Sequence, residues 1–210
     1  MSDRKRLPEE ERKTEILDAC DRLYEKKGFR EITIKDIGTE TSFSRPSIYN
    51  YFQTKEEIFL GLLTREYELW TADLVRIAGT DGGMNREQLT REQLTREIGE
   101  SLEKRRTLLK ILAMNIYEIE ENSRLELLTA FKVRFAESLE TFGRLLRSAL
   151  PELTDARAEA VRYAFFPFMN GIYPYAYPTA KQCEAMDAAG VTHRQMTIAE
   201  ITENFLRQIL

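Results

Sequence analysis

The sequence predicts an all-α protein in which a small N-terminal group of three helices precedes a larger helical bundle. Two observations support this fold class. Apolar residues recur every three or four positions through most of the chain, which is the spacing of an amphipathic helix. Residues that favour helix starts, such as Ser, Thr and Asp, stand just before many of these apolar runs. No segment shows the apolar and polar alternation of a half-buried strand.

The first predicted helix carries an apolar stripe and ends near Gly28, where the chain reads "KKGF". The stripe consists of Ile16, Ala19, Cys20, Leu23 and Tyr24. Thr33, which Asp36 follows three residues later, is predicted to cap a short second helix that reaches about Glu40. Two helices are therefore expected before residue 41.

A short third helix and a long fourth helix follow. Ser44 is predicted to cap the third, and Pro46 is tolerated because the first N–H groups of any helix are unpaired. Thr54 and Glu57 form a capping box, which opens a fourth helix that is predicted to run to about Ala78. We place the domain boundary here, with one domain over residues 1–53 and a second over 54–210.

The second domain begins with a predicted linker, "GTDGG", at Gly79–Gly83. The pentapeptide "REQLT" then occurs twice in succession, and a period of five cannot keep Leu89 and Leu94 on one helical face. We therefore expect a mostly solvated helix there. Further helices are predicted over about 101–120, 123–150, 154–173, 179–189 and 193–210.

Composition limits the classes of function. Hydrophobic residues make up 42% and charged residues 31%, which argues against disorder. The net charge of −4 predicts no general attraction to nucleic acids or membranes, so an anionic partner must meet a local basic face. The segment 163–180 is uncharged, but three prolines interrupt it, and we expect it in the interior rather than across a membrane.

Catalytic and metal sites find little support in the sequence. Cys20 and Cys183 are far apart, and we expect both to be reduced residues in the interior of a cytoplasmic protein. His193 is the only histidine, which excludes sites that need two, and we expect it to be exposed. No glycine-rich phosphate loop or nucleophile motif appears, so we predict neither an enzyme nor a cofactor. The N-terminus has no apolar run typical of a signal peptide.

A local charge asymmetry stands out against this background. The stretch from Thr41 to Lys55 has two positive charges and no negative one. A short helix, a tight turn and a second short helix packed on a longer one form a helix-turn-helix, whose second helix enters a major groove. The inward positions are predicted to be Phe43, Ile48 and Phe52, together with Leu23, Phe29, Ile34 and Ile37. The outward positions are then Arg45, Ser47, Tyr49 and Asn50.

The stretch "ITIKDIGTETSFSRPSIYNYFQTKEEIFLGLL" resembles the N-terminal DNA-binding domain of the TetR family of transcriptional regulators. The matching features are Thr33 before the second helix, the "DIG" run, the cap at Ser44, the "IYNYF" core and the "KEE" start of the fourth helix. The turn differs, because many members have Ala-Gly-Val where this chain has Thr-Ser-Phe. A left-handed residue at Ser42 would cost about 1 kcal/mol. Gly38 stands where Ala is common.

The resemblance, together with outward position, implies roles for individual side chains. The candidates for reading bases are Lys35, Arg45, Ser47 and Asn50. The candidates for phosphate contacts are Thr33, Ser44, Tyr49, Tyr51 and Lys55. The N-terminus of the fourth helix would assist Lys55 in holding a phosphate.

One short recognition helix gives too little specificity, so such domains act in pairs on two half-sites of double-stranded DNA. The resemblance likewise implies a homodimer. The best candidates for its interface are the helix over 154–173 and the last helix, over 199–210. The last helix presents Ile198, Ile201, Phe205 and Ile209 on one stripe. Core packing within one subunit is the alternative for both helices.

The resemblance also implies a small-molecule site in the second domain. Seven of the 21 aromatic residues lie within the fifteen residues that begin at Tyr163. Pro167 and Pro174 should kink or end that helix and so open space beside it. The candidate pocket residues are Trp70, Met114, Tyr117, Phe166, Met169, Asn170 and Tyr173. We expect an apolar or aromatic effector, and an ordinary packed core is the alternative.

Taken together, these features predict a homodimeric, ligand-released repressor that binds an inverted repeat. We expect it in the cytoplasm, associated with the nucleoid, and without metal, cofactor or membrane. The alternative is a helical adaptor for protein interactions that retains a vestigial DNA-binding domain.

Overall fold

The computed structural model describes residues 8–79, 89–192 and 194–210. All regular structure in these ranges is helical, which confirms the predicted fold class. The α-helices are α1 Glu9–Lys26, α2 Ile34–Thr39, α3 Arg45–Ile48, α4 Lys55–Ile77, α5 Arg91–Glu103, α6 Arg106–Met114, α7 Ile116–Glu121, α8 Leu125–Ala149, α9 Asp155–Ala176, α10 Ala180–Ala188 and α11 Ile198–Ile209. A 3₁₀ turn, Phe29–Glu31, separates α1 from α2. Most of the predicted linker, most of the first "REQLT" copy and His193 lie outside the described residues.

The chain forms two compact units. The first unit comprises the described residues up to Arg65 together with Asn115–Lys132, and the second comprises Glu66–Met114 together with Val133–Leu210. Helices α4 and α8 therefore contribute residues to both units. The first unit contains α1, α2 and α3, so it carries the predicted helix-turn-helix.

The core of the first unit is largely the predicted one. Ile48 of α3 and Ile37 of α2 are fully buried with Phe29 and Phe52, whereas Phe43 is only half-buried. Phe59 of α4 completes the core, because its ring lies edge-on to Tyr24 at 4.9 Å and to Phe29 at 4.7 Å between centroids. Such pairs add to the burial of apolar surface. The third helix is thereby fixed by its inward face.

Two of the predicted caps, Thr33 and Thr54, accept the expected hydrogen bonds, whereas Ser44 stands at the N-cap of α3 without a side-chain capping bond. The Asp36 N–H donates to the Thr33 hydroxyl at 3.2 Å, and the Thr33 N–H donates back to the Asp36 carboxylate at 2.9 Å. At the start of α4 the Glu57 N–H donates to the Thr54 hydroxyl at 3.1 Å, as a capping box requires. The Glu57 carboxylate, however, accepts the N–H of Gln53 at 2.6 Å rather than that of Thr54.

Glu57 is the most enclosed charged group of the first unit, with an exposed fraction of 1%. Arg124 donates to its carboxylate from Nε at 2.6 Å and from Nη2 at 3.0 Å, and also donates to the Tyr51 carbonyl at 3.2 Å. The Thr54 hydroxyl donates to the Asn122 carbonyl at 3.1 Å. These bonds join the end of the helix-turn-helix to the start of α8, and we call them the Glu57 clasp.

Burial raises the pKa of Glu57, but hydrogen bonds from the Arg124 side chain and from the backbone N–H groups of Gln53 and Arg124 outweigh it. The pKa of Glu57 therefore lies below its usual value. Because the bonds favour the ionised form, the carboxylate stays charged in the folded unit at neutral pH. The clasp is consequently a charged interaction and not a neutral one.

The second unit is built around Trp70 of α4. Its indole N–H donates to the Ser101 hydroxyl at 3.1 Å, and its ring lies 5.7 Å from the ring of Phe166. Phe142 and Phe165 stack at 4.7 Å beside it. All of these side chains are buried. The aromatic residues of α4, α8 and the middle of α9 thus fill the interior of this unit.

The prediction of a mostly solvated helix at the repeated pentapeptide is wrong for its second copy. Leu94 is fully buried in α5, and Ile98 and Leu102 continue the same face one and two turns later. This face packs closely on α11, since a Cβ added at Gly99 would lie 2.7 Å from the carbonyl oxygen of Ala199. The apolar residues that follow Leu94 at intervals of four form this buried face, and the five-residue repeat concealed that spacing.

Two other boundaries differ from the prediction. The expected helix over 101–120 is divided into the end of α5, α6 and α7, with breaks after Glu103 and Met114. The last helix begins at Ile198 instead of 193, where Thr197 and Glu200 form a capping box. Both differences arise where a cap or a local turn begins or ends a helix, and the spacing of apolar residues does not reveal these features.

The prolines of α9, which were predicted to kink or end the helix, do not end it. Pro167 and Pro174 lie inside the helix, which continues to Ala176. Each proline leaves unpaired the carbonyl four residues earlier, at Tyr163 and Asn170. Both of those residues are exposed, so water can satisfy their carbonyls and the helix persists.

Two glycines in helices provide a matched test of the α5–α11 packing. Gly99→Ala should lower the free energy of unfolding by about 1–3 kcal/mol, because the new methyl group meets the Ala199 backbone. Gly171→Ala, where nothing lies within 4 Å, should raise it by about 0.5–1 kcal/mol. Chemical denaturation of both variants measures the difference. Equal effects at the two sites would contradict the close packing.

The Glu57 clasp predicts a pH-dependent stability. Glu57→Gln should lower the free energy of unfolding by about 1–3 kcal/mol at pH 7, because it removes bonds made to a charged group. The folded pKa is depressed, so the wild-type advantage is complete above the unfolded value of about 4.3 and is lost as the pH falls through the folded value. Denaturation from pH 7 to pH 3 should therefore show the two proteins converging. Glu25→Gln, on the exposed side of α1, is the control that should show no such trend.

Candidate nucleic-acid interface

The outward face of α3 and the residues just after it carry three exposed polar side chains. Arg45, Tyr49 and Asn50 are exposed, while Ile48 between them is fully buried. Arg45 Nη2 donates to the Tyr49 hydroxyl at 3.1 Å, and the guanidinium lies 5.8 Å from the centre of the Tyr49 ring. A cation, an aromatic hydroxyl and an amide are thus presented together. This group can donate hydrogen bonds to base edges and to phosphates.

The remaining candidates for base reading lie at the edges of this face. Ser47 is half-buried, and its hydroxyl lies 3.1 Å from that of Ser44. Lys35 is exposed on α2. Helices α2 and α3 lie against each other, since a Cβ at Gly38 would lie 3.4 Å from Cα and Cβ of Arg45. This is an ordinary contact distance, so an alanine at this position would also fit between the two helices.

The turn between α2 and α3 is stabilised from α1. The Glu15 carboxylate accepts hydrogen bonds from the Ser42 N–H and, at 3.0 Å, from the Ser42 hydroxyl. The Arg12 guanidinium lies 5.7 Å from the ring of Phe43. No residue other than glycine has a positive φ in the part of the chain that the structure describes. The turn therefore forms without a left-handed residue at Ser42.

Arg12 and Glu15 were missed by sequence reasoning. Both are charged residues beside the apolar stripe of α1, where charged residues are ordinary on any amphipathic helix. Nothing in their spacing pointed to the turn, because Ser42 lies 27 residues after its partner Glu15. Their contribution is to fix the direction in which α3 leaves the turn.

The candidates for phosphate contacts fall into two groups. Thr33, Ser44 and Tyr49 are exposed, and the first two are the N-caps of α2 and α3. Tyr51 is half-buried. The Lys55 ammonium donates to the Phe29 carbonyl at 2.9 Å and lies 3.9 Å from the Phe29 ring, so this lysine also holds the first unit together.

Nearby carboxylates are already engaged in bonds. The hydroxyl and the N–H of Thr33 donate to Asp36, and these bonds lower the pKa of its carboxyl. The Glu15 carboxylate accepts the hydrogen bonds from the N–H and the hydroxyl of Ser42. The stretch from Thr41 to Lys55 itself contains no carboxylate. The α3 face is thus locally positive on a chain whose net charge is −4.

The residues predicted to line a pocket do not form one group. Trp70, Phe166 and Met169 are buried in the second unit. Met114 and Tyr117 are exposed, with exposed fractions of 61% and 89%. Asn170 is exposed as well. Tyr173 lies in the wall of a pocket of about 1050 Å³ that the end of α9 forms with α10, and the other six are not among the residues that line this pocket.

The described residues show neither a helix that could span a membrane nor a group of side chains that could hold a metal ion. None of their helices is both long and apolar enough to cross a membrane. Within the same ranges, no three or more His, Cys, Asp or Glu side chains come together as metal ligands would. Cys20 is buried, and burial raises the pKa of its thiol far above the ordinary value.

Family models match nearly the whole chain. Residues 16–62 match the model described as "Bacterial regulatory proteins, tetR family", and residues 64–210 match "Tetracyclin repressor-like, C-terminal domain". The first match covers α2, α3 and most of α1, which contain the face described above. The second covers more than half of the chain.

Individual relatives agree with these matches. The chain is 42% identical over 50 residues to the HTH-type regulator YfiR of Bacillus subtilis, covering 24% of each protein. It is 39% identical over 54 residues to the HTH-type regulator EthR of Mycolicibacterium smegmatis, covering 26% of this chain and 25% of EthR. These alignments thus span about a quarter of the curated relatives.

Solved structures extend the similarity of fold along the chain. A putative TetR-family regulator from Mesorhizobium loti superimposes with a TM-score of 0.64 at 14% identity, covering 98% of both chains. PfmR from Thermus thermophilus gives 0.59 at 15% identity, covering 93% of this chain and 96% of its own. At these identities the structures show a shared fold. Together with the family models, they establish that the chain belongs to the TetR family of DNA-binding transcriptional regulators.

Proposed function

We propose that this chain is a homodimeric repressor that binds an inverted DNA repeat and is released by a small-molecule effector. The exposed group of Arg45, Tyr49 and Asn50 around the buried Ile48 of α3 is the observation that carries the proposal. Residues 1–53 would contact DNA, and residues 54–210 would dimerise and respond to the effector. The protein would act in the cytoplasm, at the nucleoid.

Within the DNA-binding part we assign two kinds of contact. Lys35, Arg45, Ser47 and Asn50 would meet base edges in the major groove, where an Arg that bonds guanine is the commonest specific contact. Thr33, Ser44, Tyr49, Tyr51 and Lys55 would position the domain on phosphates. The Arg45–Tyr49 hydrogen bond supports this division, because the tyrosine hydroxyl can orient the Arg45 guanidinium toward a base while Tyr49 itself would lie nearer the DNA phosphates.

Exposed apolar surface on α9 and α11 supports a dimer. Ala160 and Ala164 are exposed one turn apart on α9, and Phe168 follows on the same side. Phe168 stacks on Phe205 of α11 at 3.9 Å, and Ile201 is half-buried one turn earlier. Small residues beside a stacked aromatic pair allow a second helix to approach closely. A copy of the same surface would bury this stripe, as a two-fold interface requires.

A ligand bound to a protein of the same fold supports release by an effector. A protein of the same fold, FadR from Bacillus subtilis, was crystallised with stearoyl-CoA, and superimposes with a TM-score of 0.58 at 14% identity over 93% of this chain and 96% of its own. The fold therefore accommodates an organic ligand. An effector acts only if it binds one state of the dimer better than the other.

Selection of genomic DNA fragments by the purified protein, followed by gel-shift titration, tests DNA recognition. We expect an inverted repeat in the bound fragments, and affinity that falls steeply with salt. Recovery of no preferred sequence would contradict the proposal and favour the adaptor hypothesis.

Arg45→Ala should weaken specific binding by about 1–3 kcal/mol and relax the base preference at one position in each half-site. Fluorescence anisotropy with the selected operator and with single-base variants of it measures both effects. Arg147→Ala, on the exposed surface of α8, is the matched control and should change neither. An equal loss on all sequences would show that Arg45 contacts phosphate instead.

Lys55→Ala should weaken binding to every sequence alike and reduce the salt slope by about one. Because Lys55 also holds the Phe29 carbonyl, the variant needs a comparison that separates folding from charge. Lys55→Arg keeps the charge and should keep the slope, while thermal melting reports the stability of both. A slope unchanged in a folded Lys55→Ala variant would remove this residue from the phosphate set.

The dimer is tested on α9 and α11. Ile201→Glu with Phe205→Glu should abolish it, but Phe205 also packs within the subunit and its loss can unfold the chain. Ala164→Glu avoids this problem, since the side chain is exposed, and should give folded monomers at micromolar concentration. Ala136→Glu, exposed on α8, is the control. Sedimentation that shows folded dimers of Ala164→Glu would place the interface elsewhere.

A further inference from the structure

The pocket of about 1050 Å³ in the second unit has chemically distinct walls. One wall is the C-terminal end of α9, with Tyr173, Tyr175 and Tyr177. The opposite wall is α10 and the loop after it, which contribute Cys183 and Met186 among other residues. Its volume is that of a site for a drug-sized ligand. It is separate from the packed aromatic interior around Trp70, which is not among its lining residues.

The aromatic wall is held in place from two sides. The rings of Tyr173 and Tyr177 lie 5.2 Å apart, and the Tyr177 hydroxyl donates to the Glu103 carboxylate at 3.0 Å. Glu103 also accepts the N–H of Ala199, in the first turn of α11, at 2.9 Å. Because one carboxylate joins the end of α9 to the start of α11, a ligand against Tyr177 would contact a rigid surface.

Positive charge lies at this wall. The guanidinium carbon of Arg106 lies 3.9 Å from the centre of the Tyr177 ring, which is within the range of a cation–π interaction. Arg106 and Arg194 are the charged members of the described lining, and both are cationic. Arg194 lies near Glu200, and the Glu103 carboxylate behind the wall already accepts bonds from Tyr177 and Ala199, so Arg106 is the cation placed at the aromatic surface.

Helix α10 covers the pocket without packing of its own. None of its residues is buried, and Cys183 and Met186, which line the pocket, are only half-buried. A nine-residue helix has little intrinsic stability, so its position must depend on contacts across the pocket. An apolar ligand between Met186 and the tyrosines would supply the contacts that α10 lacks.

We infer that this pocket binds an organic anion with a flat apolar body. Its carboxylate or sulfonate would accept hydrogen bonds from Arg106, and its body would lie between Tyr173 and Met186. The inference rests on the proposed function in one respect, because this anion would be the effector that releases the repressor. Binding to the pocket itself requires no DNA.

Two dyes that share one skeleton test the charge and the apolar surface separately. 8-Anilinonaphthalene-1-sulfonate carries a sulfonate, and N-phenyl-1-naphthylamine is the same body without it. Fluorescence titration of the full chain in the absence of DNA should give tighter binding of the sulfonate. Arg106→Gln should weaken the sulfonate about tenfold and leave the neutral dye unchanged, since it removes one charged partner. Arg147→Gln, outside the lining, should change neither dye.

Tyr173→Ala should weaken both dyes, because it removes part of the surface on which either body rests. Equal affinities for the two dyes, or an unchanged sulfonate affinity in Arg106→Gln, would overturn the inference. So would failure of either dye to bind, as when a partner subunit fills the pocket. Gel shifts of the dye-free protein test DNA recognition independently, so a failed pocket and a failed regulator are distinguishable.

Discussion

The first unit depends on one buried carboxylate. Glu57 lies in the first turn of α4, where it accepts bonds from Gln53 and from Arg124, 67 residues further along the chain. A buried charge without partners is strongly unfavourable, so α4, the turn before it and the start of α8 must be in place together. The end of the helix-turn-helix is thereby fixed to a segment that is distant in sequence. Loss of this interaction would release both the Tyr51 carbonyl and the carboxylate.

The outward face of α3 takes its direction from such contacts, because α3 has only four residues and no stability of its own. Its orientation is set by burial of Ile48 and by the Glu15 carboxylate at Ser42. The polar residues outside are consequently free to serve recognition. The side chains proposed to read bases therefore contribute little to the fold, whereas Lys55, which is proposed to meet a phosphate, also holds the Phe29 carbonyl.

The distance along the chain between interacting residues explains which features could be predicted from the sequence. Caps such as Thr33 with Asp36, and stripes such as that of α1, join residues three or four apart, so local pattern reveals them. The partners of Glu57 and Glu15 lie dozens of residues away, and any exposed arginine or serine would have seemed equally suitable. The pentapeptide repeat misled for a different reason, because it concealed the spacing of four residues from Leu94 to Ile98 and Leu102, which forms the buried face of α5.

The aromatic residues of α9 also show what the sequence pattern can and cannot predict. Pattern alone placed seven aromatics together, but the helix distributes them, with Phe165 and Phe166 in the interior and Tyr173 and Tyr177 at the pocket. A phenylalanine loses nothing by full burial, whereas a tyrosine hydroxyl needs a partner or water. Tyr177 finds Glu103, which in turn holds the start of α11. Beyond Met169, the change from phenylalanine to tyrosine therefore marks where the packed interior gives way to the wall of the pocket.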